Sequence, residues 1–252
     1  MLVTATATKG RVDYRHRRSH VPCRTRLTSI ALDVVTVRPL ADDDVAAAVR
    51  LHLQVLNMEF LSRFGPTFMS TYYRAWRETP GAIALVAVDE HAALVGVLLG
   101  ASAPATHVRA MVRTHGVRLA TRLTLYALGH PRVARDLIVT RSRRYARGLF
   151  RLVAARFRRS SSSSSEQYEP VVGEITHVLV DPQVQGQGIG RALVTASIEQ
   201  ARASDVDELV LVTPPDMTAR HFYERLGWKL DGDLHSRSGE AFLRFRYLVN
   251  EP

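Results

Sequence analysis

The run Gly173-Glu174-Ile175-Thr176-His177-Val178-Leu179-Val180 is closed by Asp181-Pro182, then leads into Gln185-Gly186-Gln187-Gly188-Ile189-Gly190 and on into Arg191-Ala192-Leu193-Val194. The first stretch is β-rich, and proline ends it by removing a donor and fixing a turn. The last stretch reads as a helix running to about Ala203. The segment sets the N-terminus of a helix after the end of a strand. Glycine at 186, 188 and 190 lets the backbone approach a ligand closely. The N–H groups that open the helix point at whatever sits there, and such a place suits a phosphate or pyrophosphate.

Three readings of the loop compete. A dinucleotide fingerprint needs Gly-x-Gly-x-x-Gly straight after its strand, whereas here the third glycine comes one residue early and Asp181 to Gln185 intervene. A phosphate-binding P-loop needs Gly-Lys-Ser/Thr, and Arg191 stands in the lysine's region. A plain capped turn needs nothing further.

The remaining text is compatible with one large domain carrying an elaboration. Val34 to Arg38 reads as a strand, with Pro39 stopping it before Asp42-Asp43-Asp44, an acidic run that suits a helix N-terminus. Val45, Val49, His52, Leu53 and Leu56 recur at helical spacing and predict a first helix to about Asn57. A second helix is expected over Pro66 to Trp76. Ala82 to Val88 and Leu94 to Leu99 form a hairpin around Asp89-Glu90-His91. No apolar run reaches the roughly 18 residues that a membrane-spanning helix needs. Cys23 is the single cysteine and has no disulfide partner; with no apolar stretch of signal-peptide length in the first 30 residues, a reducing, cytoplasmic setting is expected.

The net charge of +10 is unevenly spread. Residues 107–159 hold 14 arginines against one acid, Asp136, while the segments around them are mildly acidic. Within this stretch Val108, Met111, Val112, Leu119, Leu123 and Tyr126 form a stripe broken only near Gly116, with Arg109, Arg113, Arg118 and Arg122 largely off it, which predicts a basic amphipathic helix ended by Gly129 and Pro131. A further stripe follows through Tyr145, Leu149, Leu152, Val153 and Phe157. Ser160 to Ser165 then reads as a flexible tether. The domain is therefore expected over 34–252, interrupted by an arginine-rich helical insertion over 104–170. Residues 1–33, basic and without period, read as a disordered leader. His16 and His20 in that leader have helical metal-ligand spacing, but nothing near them completes a site.

The glycine loop also resembles the acyl-CoA motif of the GNAT superfamily of N-acyltransferases, Gln/Arg-x-x-Gly-x-Gly/Ala after an apolar strand. Gln185 to Gly190 fit it position by position. About thirty residues on, after the apolar strand Leu209 to Val212, Ala219-Arg220-His221-Phe222-Tyr223-Glu224-Arg225-Leu226-Gly227-Trp228 is similar to that family's Ala-x-x-Phe-Tyr-Glu-x-Leu-Gly-Phe segment. The resemblance covers 171–248 well and 34–99 loosely, and implies an α/β fold with a mixed, mostly antiparallel sheet flanked by helices and the insertion between the third and fourth strands. It also implies acetyl-CoA as cosubstrate, with no metal required. Backbone groups of Val178, Leu179 and Val180 would bond the pantetheine arm. The loop Gln185, Gly186, Gln187, Gly188, Ile189, Gly190 with Arg191 would hold the pyrophosphate. Asp216 stands where the family commonly has Asn, and its charge departs from the polar contact made there.

Acyl transfer to an amine needs a neutral nucleophile, and an alkylammonium, with a pKa near ~10.4, is protonated at neutral pH. A general base is required. Glu174 is the first candidate, on a strand that resembles that of family members using a glutamate; His177 is the second. Strict alternation would put Glu174, Thr176, Val178 and Val180 on one face and His177 on the other. Tyr223 matches the family's general acid for the leaving thiolate, and the Val178 N–H is expected to support the oxyanion. The expected function is transfer of an acyl group, acetyl first among them, from acyl-CoA to the primary amine of a polar small molecule or peptide. A different class remains open: a binding module of the same fold that docks to an anionic membrane surface or to nucleic acid through its arginine-rich helices, which would make the protein peripheral at the membrane. Few aromatics accompany those arginines and no helix-turn-helix or zinc pattern is present, which argues against nucleic acid.

Overall fold

The computed structural model describes residues 30–32, 35–57, 59–130, 170–215, 217–235 and 241–250. The leader before residue 30, the second arginine-rich stripe, the serine run and Asp216 lie outside the described residues. In chain order the elements are β1 (Ile30–Leu32), β2 (Val35–Pro39), α1 (Val45–Val55), α2 (Gly65–Glu78), β3 (Ala82–Asp89), β4 (Leu94–Ala101), α3 (Pro104–Gly129), β5 (Val172–Val180), α4 (Ile189–Arg202), β6 (Glu208–Thr213), α5 (Met217–Arg225), β7 (Lys229–His235) and β8 (Ala241–Leu248).

The strands form one sheet in the order β1-β2-β3-β4-β5-β6-β8-β7. Every neighbouring pair is antiparallel except β5 and β6. Counted from the Val35 strand, the insertion falls between the third and fourth strands as expected. The short edge strand β1, inside the stretch read as leader, adds one more before it, pairing Ile30 with Val37.

Strands β3 and β4 are apolar at almost every position because helices cover both faces of the sheet. On one face α4 lays Ile189, Leu193, Val194 and Ile198 against Ile83, Leu85 and Leu98. On the other, α1 and α2 bury Val49, Met69, Tyr73 and Trp76 against Val86, Val97 and Leu99. Trp76 ties the two layers, its indole N–H donating to Gly100 O at 2.9 Å. The hairpin turn is held by the Asp89 carboxylate, which accepts from the N–H groups of His91 and Ala93.

The acidic run lies at the start of α1 as expected, with Asp44 at the N-cap; its carboxylate bonds Arg38 at 2.8 Å and the Ala41 N–H rather than the helix. A guanidinium offers two charge-assisted bonds and outcompetes a single amide. Helix α3 runs through Gly116 without a break. The face it docks is His107, Met111 and His115, with Leu119, Leu123 and Tyr126 partly covered, while Val112 is exposed. Two histidines therefore occupy positions in the stripe that apolarity alone did not mark.

Candidate active site

Strand β5 pairs with β4 along Glu174 to Val180, but with β6 only from Val172 to Ile175. Strand β6 meanwhile continues to Thr213 in partnership with β8. The two parallel strands therefore part beyond Ile175, leaving the β6-facing edge of Thr176 to Val180 without a strand partner. An open edge of this kind presents backbone donors and acceptors to an extended ligand. Val178, Leu179 and Val180 all lie on it.

At the end of that edge, Asp181 starts a short 3₁₀ turn over Pro182–Val184 and accepts from the Gln183 N–H at 3.0 Å. Gly186 and Gly188 both take φ of +83°, with Gly188 at the N-cap of α4. A Cβ at either would meet nothing within 4 Å, so it is the left-handed backbone, not crowding, that calls for glycine there. Gly190 differs: a Cβ would come 3.3 Å from the ring of Phe222, so this glycine lets α5 lie against α4. The N–H groups of the first turn of α4 point outward from the opening, and exposed Arg191 and Gln187 flank them. Gln185 folds back toward Val180 O at 3.4 Å.

Tyr223 follows Phe222 on α5. Its ring is buried against Phe222, Trp228 and Phe245, and burial pushes its hydroxyl up to about 12. The glycine loop and the tyrosine helix, separate in sequence, are thus joined through the Gly190–Phe222 contact.

Glu174 and His177 require a correction. The β4–β5 ladder pairs Ala101 with Glu174, Gly100 with Ile175 and Leu99 with His177, with an irregularity between Leu99 and Gly100 that leaves Thr176 unpaired. Thr176 is the extra residue of a β-bulge, and its hydroxyl donates to Leu99 O at 3.0 Å. The bulge resets the alternation. Glu174 and His177 sit opposite Ala101 and Leu99, two residues of the core under α1 and α2, so both face that side of the sheet. Val178 and Val180 face α4 instead. Glu174 is largely buried, and burial raises its pKa against the smaller opposing pull of Arg244.

His177 belongs to a group that sequence reasoning missed. Its Nε2 lies 3.1 Å from Glu59 Oε1, and the Nε2 of His52 on α1 lies 2.8 Å from Glu59 Oε2. His52 Nδ1 meets the Tyr73 hydroxyl at 2.9 Å, and His177 Nδ1 meets Thr176 Oγ1 at 3.0 Å. Burial pushes Glu59 up, but its bonds to His177 and His52 outweigh that and hold it well below the usual carboxylate range. Burial lowers the pKa of His52, which is wholly inaccessible. Tyr72, whose buried hydroxyl has no hydrogen-bond partner, lies in the field of Glu59, Tyr73 and Glu174. The sequence traces of this group were His177, read as a candidate base, and a histidine in the apolar stripe of α1; Glu59 stands in a loop with no period to mark it.

An open sheet split between its parallel strands, with a glycine loop starting a helix at the split, defines an acyl-CoA-binding transferase fold. The chain belongs to the acetyltransferase (GNAT) family, whose model matches residues 52–228. Members of that family use acetyl-CoA. Over 65 residues, a quarter of this chain, it is 40% identical to a mycothiol acetyltransferase from Gordonia bronchialis, and over 61 residues 39% identical to one from Rhodococcus erythropolis. The matched segments span about a fifth of those proteins' own length. Among solved structures, an acetyltransferase aligns over 85% of this chain and 99% of its own with a TM-score of 0.52 and 21% identity. A spermidine N-acetyltransferase from Vibrio cholerae aligns over 85% and 94% with a TM-score of 0.52 and 13% identity. These likenesses are likenesses of fold.

Proposed function

We propose that the chain transfers an acetyl group from acetyl-CoA to the primary amine of a small polar molecule or peptide, by direct attack and without a covalent enzyme intermediate. The observation that carries this reading is the free edge of β5 running straight into the outward-pointing N–H groups of α4. That edge matches an extended pantetheine arm, and the helix start matches its pyrophosphate. Arg191 adds a positive charge beside them.

Glu174 takes the proton of the acceptor ammonium, directly or through one water. The freed nitrogen attacks the thioester carbon, and the Val178 N–H supports the oxyanion. As the carbon–sulfur bond breaks, Tyr223 gives its proton to the departing thiolate and recovers one from the acylated nitrogen, which sheds its second proton to become the neutral amide, while Glu174 returns the first proton to solvent. Burial suits both roles: it shifts Glu174 toward neutral pH, where a base works best, and it keeps Tyr223 protonated. Calorimetric titration with acetyl-CoA, followed by turnover of an amine panel by wild type, Glu174→Gln and Tyr223→Phe, tests the reading. A folded wild type that does not bind acetyl-CoA would sink it.

A second reading rests on α3. The helix exposes Arg109, Arg113, Arg118 and Arg122 together with Val117, Leu125 and Leu128. Basic side chains beside bare apolar ones suit the surface of an anionic bilayer. Sedimentation with anionic but not neutral vesicles, steeply weakened by salt, is the expected outcome. Equal sedimentation with both would remove it.

A further inference from the structure

We propose that His52, Glu59 and His177 form a divalent metal site on the face of β5 that carries Glu174, with zinc as the ion its donor set fits. The site is independent of acetyl transfer and is assembled from three places: α1, the loop after it, and β5. Two histidine nitrogens and a carboxylate are the zinc donors of many three-ligand sites, which leave the fourth position to water.

Hydrogen-bond bookkeeping carries the inference. The Thr176 hydroxyl commits its proton to Leu99 O, so its oxygen is an acceptor toward His177. His177 Nδ1 must then carry a hydrogen, and in a neutral imidazole the Nε2 lone pair is turned to Glu59. A lone pair and a carboxylate oxygen 3.1 Å apart repel unless a cation lies between them. That cation is either a second proton on the ring or a metal ion.

The surroundings favour the metal. His52 aims its own Nε2 at the other oxygen of Glu59, while Tyr73 holds its Nδ1. Each imidazole is thus fixed through Nδ1 by a hydroxyl with Nε2 turned inward, the arrangement in which an outer partner orients a metal-bound histidine. The donor atoms of the three residues lie within 4.8 Å of one another. A tetrahedral ion bound at about 2.0–2.1 Å holds its ligands about 3.3 Å apart, so the two histidine–carboxylate pairs, now at 2.8 and 3.1 Å, open slightly while the wider remaining separation closes. The side chains of Glu59 and His177 keep 9% and 8% of their surface exposed, which gives an ion a way in.

The test uses the full chain, stripped with chelator and titrated with zinc chloride, then loaded with cobalt(II) for visible spectroscopy. One zinc per chain is expected, with the strong visible bands of four-coordinate cobalt. His177→Gln and Glu59→Gln should each weaken zinc binding by about 100-fold or more and abolish those bands. Circular dichroism reports folding of the variants, and the wild-type cobalt spectrum stands even where Glu59→Gln does not fold. The proposal is overturned if folded wild type shows no saturable zinc binding, if cobalt gives only the weak six-coordinate spectrum, or if binding survives His177→Gln unchanged, as it would were His16 and His20 the ligands. Acetyl-CoA binding, measured on the same samples, separates failure of this site from failure of the transferase reading.

Discussion

Glu174 and His177, three positions apart on β5, present their side chains to the same side of the sheet, because Thr176 between them is bulged out of the ladder. The candidate base and the histidine of the buried polar group therefore share the compartment under α1 and α2. Glu174→Gln is expected to lower kcat by roughly 10²–10³-fold while leaving the affinity for acetyl-CoA unchanged. Because burial raises the pKa of Glu174, the acid limb of the wild-type pH–rate profile should fall above the ordinary glutamate range. A profile of kcat with that limb still in place in Glu174→Gln would assign the base elsewhere.

Tyr223→Phe keeps the buried ring and deletes the hydroxyl. A kcat loss of roughly 10²-fold is expected with little change in melting temperature, since the contacts to Phe222, Trp228 and Phe245 are aromatic. Thermal melts and steady-state rates on the same preparation check both halves. A large drop in stability with unchanged kcat would make the residue a packing tyrosine.

Gly188→Ala separates backbone from space at the loop. With φ at +83° and open room around the added methyl, the variant should lose about 1–2 kcal/mol from conformational strain alone. Arg191→Glu, on an exposed position, should leave stability unchanged and raise the acetyl-CoA dissociation constant about tenfold or more, with the difference shrinking in high salt. Denaturant melts and calorimetry distinguish the two effects. Unaltered acetyl-CoA affinity in Arg191→Glu would remove the arginine from the pyrophosphate site.

Asp44 offers a pH test of stability. The Arg38 bond lowers its pKa, opposed by burial and reinforced by the Ala41 N–H. A carboxylate whose pKa is depressed by folding contributes stability above its unfolded value and loses it as pH falls through the folded value. Wild type should therefore lose stability in acid more steeply than Asp44→Asn, and the two curves should converge at low pH. Parallel curves from neutral pH down to strongly acid pH would show that the pair contributes nothing.

Trp76→Phe removes the donor to Gly100 O, opposite the bulged stretch of β5, and should cost about 1–3 kcal/mol by leaving a buried carbonyl short of a partner. Urea unfolding measures it. A loss below half of that would mean that water replaces the indole.

Much of this molecule is legible in local text. Helix α4 and its loop declared themselves because left-handed glycines and an apolar stripe are local demands. The hairpin β3–β4 declared itself because strands buried on both faces read as continuous apolar runs. The Phe222-Tyr223 segment was legible through its resemblance to a family pattern. None of these needs a distant partner to be recognised.

What only the tertiary structure decided is what depends on pairing. The facing of His177 follows from one unpaired residue, Thr176, and a bulge is set by the register of β4 against β5, across an insertion that separates the two strands in sequence. The parting of β5 from β6 is likewise a matter of pairing: β6 keeps β8 on its other edge out to Thr213, while its ladder with β5 ends at Leu211. His52, Glu59 and His177 meet for a similar reason: packing α1 on the sheet brings a loop carboxylate between two imidazoles that are far apart in the chain. Periodicity reports which face of an element is apolar. It carries no information on which polar groups two apolar faces will enclose when they close on each other, and that enclosure is where His52, Glu59 and His177 lie.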